Sequence, residues 1–366
     1  MKIIGPIAGI GSRLRPFTLS KPKAFLTVAG KTVLDHILEK FSNTFDPNTE
    51  LILIVGYKKR QIIEYVKKKY SDKFKLIFIE QIPRGYSNDD IPFYWGLGEA
   101  VYLSNIRFKK QHFETKEQDK REGALIFLGD MLPVDEISYF MYRFFESDVD
   151  GIIAVIEVPN EDASSYGVVT VDENSIIQSL VEKPQNFISN LAIMGPYAFS
   201  NSAIMALFEN IKYYLDQKSE TTKEIYLTQS LQDLVDKGFR IAAIKLKKGN
   251  LDFGRPSELL KGNRYLLTQN SVKREDFPDL NITVDKSFLK NPVFIGENTK
   301  VVNCVIGPYV SIGENSYIEN CILENSVIEK RAQLKNIITK NSIIGSDVMV
   351  ENISKNNLII GDKSSS

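Results

Sequence analysis

The 366-residue sequence has few of the side chains that build metal and redox sites. It contains two cysteines, two histidines and one tryptophan. Cys304 and Cys321 lie far along the chain from His36 and His112, so the usual spacing of a zinc site and a disulfide framework are both absent. These absences exclude most zinc and redox chemistry and fit a reducing cytoplasm.

An excess of one charge is also missing, because 46 Lys and Arg residues balance 46 Asp and Glu residues. Without a net basic field, nucleic acid is not expected as a main partner. No run of 18 apolar residues occurs, so the sequence predicts no membrane-spanning segment. The apolar N-terminus is broken by Gly5, Pro6 and Gly9 and is too short for an export signal. A cytoplasmic location is therefore expected.

Short apolar runs alternate with helical stretches over residues 1–270, which we interpret as one domain. The first strands are predicted at Lys2 to Ala8, Leu51 to Gly56, Leu76 to Glu80 and Ala124 to Leu128. This alternation favours a mostly parallel sheet covered by helices. Ligands of such sheets bind beyond the carboxyl ends of the strands, so chemistry is expected in the loops after Ala8, Glu80 and Leu128.

Later segments of this domain are predicted to complete the sheet and close the fold. Strands are expected at Gly167 to Val171, Ile176 to Val181, Ala192 to Phe199 and Arg240 to Leu246, and helices at Ser202 to Asp216, Leu227 to Lys237 and Ser257 to Thr268. The polar segment 271–288 is interpreted as a linker.

The last domain, 289–366, has a periodic sequence. Aliphatic-Gly pairs recur at Ile295, Ile306, Ile312 and Ile344, with Asn-led pentads such as 315–319 between them. Repeats of five to six residues with one inward aliphatic side chain are typical of a β-helix, although an irregular β-sandwich is an alternative. Coils of about 18 residues would give about four turns, with Cys304 and Cys321 at near-matching core positions.

The strongest chemical motif is the glycine-containing turn after the first strand. Its backbone N–H groups can bind a phosphate chain, and Arg13 and Lys23 supply positive charge. A dinucleotide fingerprint would need glycine in place of Leu14, and a Walker loop would need glycine in place of Phe25. The turn is therefore interpreted as a phosphate-binding loop, the alternative being a structural turn beneath a solvated basic edge.

Together these motifs resemble those of the sugar-1-phosphate nucleotidyltransferases, the nucleotide-sugar pyrophosphorylases. The family's opening pattern is matched by Gly11, Arg13, Leu14, Pro16, Thr18, Pro22, Lys23, Gly30 and Lys31. Further matches in the family's order are Glu80-Gln81, 96–100, 128–130, 166–169, 182–184, 189–192, Glu224-Ile225 and 252–254. The C-terminal repeats resemble those of long-form glucose-1-phosphate thymidylyltransferases. The resemblance implies an α/β fold: a Rossmann-like mixed sheet followed by a left-handed parallel β-helix.

The resemblance also implies a reaction and a set of site residues. A nucleoside triphosphate, dTTP or UTP, would transfer its nucleotidyl group to a hexose-1-phosphate such as glucose-1-phosphate, releasing pyrophosphate. Mg²⁺ is the implied cofactor, with Asp130 and Asp252 as its carboxylate ligands. The implied catalytic cations are Arg13, Lys23 and Lys183. The implied nucleotide-binding residues are Ala8, Gly9, Gly11, Ser12, Gln81, Gly85 and Gly96, where either Gly85 or Gly96 would lie against the base. The implied sugar-phosphate-binding residues are Gly167, Glu182, Lys183, Asn190, Ile193 and Tyr197.

The sequence departs from the family pattern at several points. Ile10 stands where the family usually has glycine, and Met131 where asparagine is common. Two insertions occur, at Tyr86 to Trp95 and at about Asn105 to Gly123. The second insertion is expected to be a surface excursion. A catalytically silent regulatory homologue and a β-helix acyltransferase are alternative functions. Acyltransferases of that kind usually use a histidine base, and no histidine follows His112. The β-helix is therefore expected to serve regulation or assembly into a homo-oligomer.

Overall fold

The computed structural model describes residues 1–87, 90–218, 224–269 and 281–365. The chain divides into two compact units. The first contains Met1–Gly9 and Ile37–Asn250, and the second contains Ile10–His36 and Leu251–Ser366. We call them the sheet unit and the β-helix unit. The segment Ile10–His36 thus groups with the C-terminal part of the chain, far away in sequence.

The elements that precede the β-helix are numbered in chain order. The strands are β1 (Lys2–Pro6), β2 (Thr27–Val28), β3 (Lys31–Thr32), β4 (Glu50–Val55), β5 (Lys75–Glu80), β6 (Gly85–Tyr86), β7 (Pro92–Phe93), β8 (Ala124–Ile126), β9 (Met131–Pro133), β10 (Gly151–Glu157), β11 (Gly167–Val171), β12 (Ile177–Glu182), β13 (Leu191–Phe199), β14 (Ile241–Lys245) and β15 (Asn250–Asp252). The α-helices are α1 (Val33–Ser42), α2 (Lys59–Tyr70), α3 (Gly96–Leu103), α4 (Lys116–Arg121), α5 (Ile137–Glu146), α6 (Asn201–Asp216), α7 (Leu227–Asp236) and α8 (Pro256–Gln269). Short 3₁₀ helices are at Ser12–Leu14, Phe17–Leu19, Lys23–Phe25, Ser104–Arg107 and Asn160–Ser165.

Nine of the described strands form the mixed sheet of the sheet unit. Its main order is β12-β11-β13-β8-β1-β4-β5, and β10 pairs with β13 and β14. The strands β8, β1, β4 and β5 run parallel, whereas β13 runs antiparallel to β8 and β10. The mixed α/β sheet expected from the sequence is confirmed. The carboxyl ends of the parallel strands share one edge.

Burial explains the sequence of the central strands. Leu51 to Val55 of β4 are all buried, so this strand is apolar on both faces, as expected for a strand covered by helices on both sides. Apolar positions of α6 and α7, including Ile204, Leu207 and Leu231, pack into the same core as β1 and β10. Among the described helices, none is long and apolar enough to cross a membrane.

The insertion at 105–123 is held to the sheet unit by a buried lysine. Lys120, on α4, is 3% exposed, and its ammonium group donates hydrogen bonds to the carbonyl oxygens of Phe144, at 2.6 Å, and Ser147. These carbonyls lie at the C-terminal end of α5, where a positive charge is favourable. Burial lowers the pKa of Lys120. The prediction that this insertion is a surface excursion is therefore wrong in part, because Lys120 anchors its C-terminal end.

The C-terminal strands form the three faces of a β-helix. They are β16 (Thr283–Asp285), β17 (Phe288–Leu289), β18 (Val293–Ile295), β19 (Lys300–Val302), β20 (Val305–Ile306), β21 (Val310–Ile312), β22 (Tyr317–Glu319), β23 (Ile322–Glu324), β24 (Val327–Ile328), β25 (Gln333–Lys340), β26 (Ile343–Ile344), β27 (Met349–Ser354) and β28 (Ile359–Ile360). Parallel pairing places Val284, Val301, Ile318, Leu334 and Val350 in one column, which therefore passes through five coils.

Asparagines turn the corners of the β-helix. Asn303, Asn320, Asn336 and Asn352 all have positive φ, a conformation that asparagine tolerates better than most residues. Their side-chain amides donate to one another in sequence, at 2.7, 3.1 and 2.7 Å. This ladder explains why the repeats begin with asparagine.

The same ladder gives the length of a coil. Asn303 and Asn320 are 17 positions apart, whereas Asn320 and Asn336 are 16 positions apart. The expected coil of about 18 residues is therefore slightly too long, and the expectation of about four turns starts from residue 289, after the first coil has begun at β16. The described part of the β-helix has five coils, and each is slightly shorter than expected.

The proposed linker, 271–288, lies outside the described residues up to residue 280. From residue 281 the chain already follows the β-helix, because β16 pairs with β19. The polar side chains that suggested a linker include those of Thr283 and Asp285, which are exposed on the first coil.

The two cysteines occupy matching core positions in neighbouring coils, as expected. Both are buried and free, and the Cys321 amide donates to the Cys304 sulfur at 3.3 Å. They are small core residues of the β-helix.

Candidate active site

Three loops of the sheet unit follow the carboxyl ends of parallel strands. Ala8 follows β1, Gln81 follows β5, and Asp130 follows β8. The Ala8 carbonyl accepts the Tyr57 amide at 3.1 Å, and the Gln81 amide donates to the Val55 carbonyl at 2.8 Å. Backbone bonds therefore hold these loops at the sheet edge, where the strand order predicts ligand binding. Ala8 and Gly9 end the part of this turn that belongs to the sheet unit.

Gln81 is held by the start of α3. Its side-chain nitrogen donates to the Glu99 carboxylate at 2.7 Å and to the Gly96 carbonyl at 3.3 Å. Gly96 has φ of +84°, and a Cβ there would overlap the Glu224 side chain. Gly96, and not Gly85, thus lies beside Gln81. Because the side-chain nitrogen is engaged, the side-chain oxygen is the group of Gln81 that remains for a ligand, and Glu99 orients the amide.

At the insertion 86–95, the described strands β6 and β7 pair antiparallel. The ring of Phe93 covers Gly85, because a Cβ on this glycine would lie 2.7 Å from the ring. Tyr94 is half-buried, and burial raises the pKa of its hydroxyl to about 12. The Arg84 guanidinium stacks 4.5 Å from the Trp95 ring centre. The insertion therefore adds three consecutive aromatic side chains between Gln81 and Gly96.

Asp130 lies in a tight turn after β8. The Met131 amide donates to the Leu128 carbonyl at 3.2 Å, which fixes the intervening residues. The Asp130 side chain is partly exposed. Within the described ranges, no group of three or more His, Cys, Asp or Glu side chains forms a metal-binding cluster.

Several of the predicted sugar-phosphate-binding residues form one cluster on β11, β12 and β13. The Thr228 hydroxyl donates to the Glu182 carboxylate at 2.6 Å. Gly167 pairs with Glu182 across the strands, and a Cβ there would lie 3.0 Å from the carboxylate and 3.4 Å from Ile193. Tyr197 is buried, and burial together with the charge of Glu182 raises the pKa of its hydroxyl. The structure thus brings together four of the predicted sugar-phosphate residues.

Lys183 follows this cluster in an unusual backbone conformation. Its φ is +44°, which is strained for a residue with a side chain and is typical of functional sites. Its ammonium group lies 3.4 Å from Glu182 and 5.4 Å from the centre of the Tyr226 ring, and half of the side chain is exposed. Asn190 precedes β13, where its carbonyl accepts the Val158 amide at 3.0 Å.

The predicted phosphate-binding loop belongs to the β-helix unit from Ile10 onward. Gly11 has φ of +70°, and its carbonyl accepts the Thr18 hydroxyl at 2.9 Å. A Cβ on Gly11 would lie 2.8 Å from the Lys23 side chain, so glycine is required for this close packing. Ser12 and Arg13 begin the following turn, where both are exposed. In the described part of the chain Arg13 forms no ion pair.

Asp252 is the other predicted metal ligand, at the end of β15. One carboxylate oxygen accepts the Gly254 amide at 2.7 Å, and the side chain is partly exposed. This hydrogen bond orients the carboxylate. A carboxylate oriented in this way is a suitable ligand for a hard cation.

A family model described as "Nucleotidyl transferase" matches residues 7–269, which is most of the chain. The chain belongs to this family. The match covers both predicted aspartates and every predicted cation of the nucleotidyltransferase.

Curated relatives agree with this assignment. The nucleotidyltransferase is 33% identical over 261 residues to "Bifunctional protein GlmU" of Methanocaldococcus jannaschii, a match that covers 71% of this chain and 53% of that protein. The chain thus spans about half the length of this relative. It is 29% identical over 276 residues to "UTP--glucose-1-phosphate uridylyltransferase AglF" of Haloferax volcanii, covering 75% of this chain and all of that protein.

Solved structures agree in fold. A UDP-glucose pyrophosphorylase complexed with UDP-glucose superposes with a TM-score of 0.58 at 21% identity, covering 73% of this chain and 98% of that one. The UDP-glucose pyrophosphorylase from Acinetobacter baumannii gives 0.56 at 22% identity, covering 76% and 97%. The mixed α/β fold of the nucleotidyltransferase is that of these structures.

Sequence reasoning missed the residues that orient the site. Thr228, Glu99 and Tyr226 contact predicted site residues but lie in helices or loops far from them in sequence. Glu99 lies within the family motif 96–100, yet its helical position gave no hint of a contact with Gln81.

Proposed function

We propose that this nucleotidyltransferase transfers a nucleotidyl group from dTTP or UTP to a hexose-1-phosphate, most simply glucose-1-phosphate, and releases pyrophosphate. The observation that carries the proposal is the phosphate-binding loop, in which Gly11 packs on Lys23 and Arg13 is exposed without an ion pair among the described residues. A cation held this way can bind a triphosphate without first breaking an ion pair. The printed name of the Haloferax volcanii relative supports UTP and glucose-1-phosphate.

In this reaction an oxygen of the sugar phosphate attacks the α-phosphorus of the triphosphate. A bond forms between that oxygen and the α-phosphorus, and the bond from the α-phosphorus to the bridging oxygen breaks, so pyrophosphate leaves with the electron pair. A phosphate monoester has a second pKa of about 6 and is largely dianionic at pH 7. No general base is needed, and catalysis consists of positioning and charge neutralisation by Arg13 and Lys23.

Asp130 and Asp252 are the residues that would hold Mg²⁺. Both are partly exposed carboxylates at or just after the ends of strands, and oxygen ligands of this kind are what the ion prefers. When bound, the ion neutralises phosphate charge. The hydrogen bond from the Gly254 amide orients Asp252 for this role.

The sugar phosphate is proposed to bind at the Glu182 cluster. Glu182, oriented by Thr228, accepts hydrogen bonds from sugar hydroxyls, and Lys183 neutralises the phosphate. Gly167 leaves room for the sugar ring, because any side chain there would contact Glu182 and Thr228. Asn190, Ile193 and Tyr197 form the remainder of this proposed site. A catalytically silent homologue is not favoured, since none of the proposed cations and carboxylates is lost.

The direct test is pyrophosphate release by the full chain with Mg²⁺, glucose-1-phosphate and each common nucleoside triphosphate in turn. We expect release with UTP or dTTP that requires both the sugar phosphate and Mg²⁺. Glucosamine-1-phosphate and N-acetylglucosamine-1-phosphate serve as matched alternative acceptors. No release with any pair of substrates would overturn the proposal, and release that continues in chelator would remove the metal from it.

We further propose a cytoplasmic homo-oligomer that assembles through the β-helix. Support comes from a row of exposed apolar side chains on aligned strands, Phe288, Val305, Ile322 and Ile338. Ile322→Glu should lower the mass measured by light scattering, whereas Lys300→Glu, on another face, should not. An unchanged mass for Ile322→Glu would contradict assembly through this row.

A further inference from the structure

A lysine of the phosphate-binding loop is buried against two carboxylates of the β-helix. Lys21 is 12% exposed, and its ammonium group lies 2.5 Å from Glu329 and 3.1 Å from Asp362. The two carboxylates are 5% and 8% exposed. Ser346 completes the group by accepting from Lys21 at 3.2 Å and donating to Glu329 at 2.9 Å. Lys21 and Glu329 are 308 residues apart in sequence.

The same two carboxylates also bind the neighbours of Lys21. The second oxygen of Glu329 accepts the Thr27 amide at 3.1 Å, and Asp362 accepts the Ser20 hydroxyl. Asp362 in turn is fixed within the β-helix by the Ser346 amide at 2.8 Å. Each carboxylate therefore joins the loop through more than one bond, so the contact defines an orientation as well as a distance.

Two further contacts hold the end of the loop. A Cβ on Gly30 would overlap the ring of Phe294, so glycine lets the backbone pack directly on the β-helix. Asn263 of α8 is fully buried, and its side-chain oxygen accepts the Ala29 amide at 2.9 Å and the Ser311 hydroxyl at 2.6 Å. The loop from residue 11 to residue 31 is thus held by several elements of its own unit.

Lys21 is directly coupled to the residues proposed to bind the triphosphate. Pro22, whose ring fixes its own φ, is the only residue between Lys21 and Lys23. Lys23 in turn packs on Gly11, and Thr18 donates to the Gly11 carbonyl. A displacement of Lys21 would therefore be transmitted to the turn that carries Arg13.

We propose that Glu329 and Asp362 are positioning residues that hold the phosphate-binding loop in its triphosphate-binding conformation. The β-helix is then part of the support of the active site. Buried charges require partners, and with one cation facing two anions the loop has a strongly preferred position. The expected effect on activity rests on the proposed function, whereas the expected effect on the position of the loop does not.

The test uses the full-length Glu329→Gln/Asp362→Asn variant, which keeps size and hydrogen-bonding capacity but removes both charges. Asp347→Asn is the matched control, since it breaks an exposed ion pair with Arg331 on the same β-helix. Hydrogen exchange is measured at the bonded loop amides of Leu14, Phe25 and Leu26. Steady-state kinetics are measured for each substrate separately.

We expect exchange at the loop amides to accelerate while β-helix amides such as that of Val305 keep their protection. The kcat/KM for the triphosphate should fall by about 10²-fold, with the KM for the sugar phosphate changed by less than about twofold. The control should leave both readouts as in the wild type. Unchanged loop exchange, or equal effects on both substrates, would overturn the proposal.

If β-helix amides also lose protection in the double variant, the proposal is tested with Lys21→Met instead, because this variant leaves every β-helix residue in place. The same loop-specific acceleration is then expected, and its absence would overturn the proposal. If the wild-type protein proves inactive with every substrate, the proposed function fails and loop exchange alone decides whether the carboxylates position the loop.

Discussion

The two proposed substrate-binding regions of this nucleotidyltransferase are supported in different ways. Glu182 and its neighbours lie on adjacent strands of one sheet, and strand register alone sets Gly167 opposite Glu182. The phosphate-binding loop contains three single turns of 3₁₀ helix and the two-residue strand β2, and it is held by carboxylates such as Glu329, which is 308 residues from Lys21. A site built on neighbouring strands supports itself, whereas a site built on a loop needs a scaffold.

The proposed metal ligands provide the largest expected effect. Asp130→Asn and Asp252→Asn should each lower kcat by about 10³-fold, because each removes one of two anionic ligands near the transferred phosphate. Thermal unfolding should be little changed, since both side chains are partly exposed. Asp72→Asn, an exposed aspartate of the sheet unit, is the control. Full activity in both variants would contradict the metal assignment.

Replacing Lys21 should show how much more the buried ion pairs of the loop contribute to stability than an exposed ion pair of the β-helix. Lys21→Ala leaves two buried carboxylates without their cation and should cost about 3–5 kcal/mol in the free energy of unfolding. Arg331→Ala breaks an ion pair of good geometry, at 2.6 Å, but the pair is exposed, so it should cost less than about 1 kcal/mol. Urea unfolding measures both values. Equal costs would show that the buried cluster contributes no more than an exposed pair.

Two of the proposed catalytic cations, Arg13 and Lys183, should differ in the kinetic constant they affect. Arg13→Ala should lower kcat by about 10²-fold, because Arg13 is proposed to neutralise charge that develops on the triphosphate. Lys183→Ala should mainly raise the KM for the sugar phosphate, by about tenfold. Steady-state kinetics with each substrate varied in turn distinguish the two. The reverse pattern would mean that their roles are exchanged.

The smallest expected effect tests whether Thr228 orients Glu182 in the proposed sugar-phosphate site. Thr228→Val removes the hydroxyl that orients Glu182 and should raise the KM for the sugar phosphate by about three- to tenfold, as expected for one lost hydrogen bond. Thr170→Val is the matched control, because it removes a 2.7 Å hydrogen bond to Ser179 between strands of the same sheet. Equal KM values for the two variants would contradict the role of Thr228.

The contrast between support from neighbouring strands and support from distant residues also explains which features could be predicted from the sequence. The helix expected at Ser202 to Asp216 is α6, Asn201–Asp216, and the strand expected at Gly167 to Val171 is β11. Hydrophobic periodicity is a local property, so it located these elements and the β-helix repeats. Coil length was less well predicted, because the spacing of the corner asparagines varies between 16 and 17 positions.

Contacts between distant residues could not be predicted in this way. Glu329 follows Ile328 and Asp362 follows Gly361, in repeats whose polar residues mostly face solvent, and no local pattern marks the two carboxylates as buried. Lys21 likewise has the sequence context of an exposed loop residue. Their burial results from tertiary packing, which is also why Thr228 and Glu99 were not identified as site residues.

Hydrogen exchange of the protein with each proposed substrate tests the site assignment most directly. With Mg²⁺ and UTP, we expect new protection at residues 8–25 and around Gln81 and Gly96, and with glucose-1-phosphate at residues 166–197. Protection of the same segments by both substrates, or of segments outside these regions alone, would contradict the division of the active site into a phosphate-binding loop and a sheet-borne sugar site.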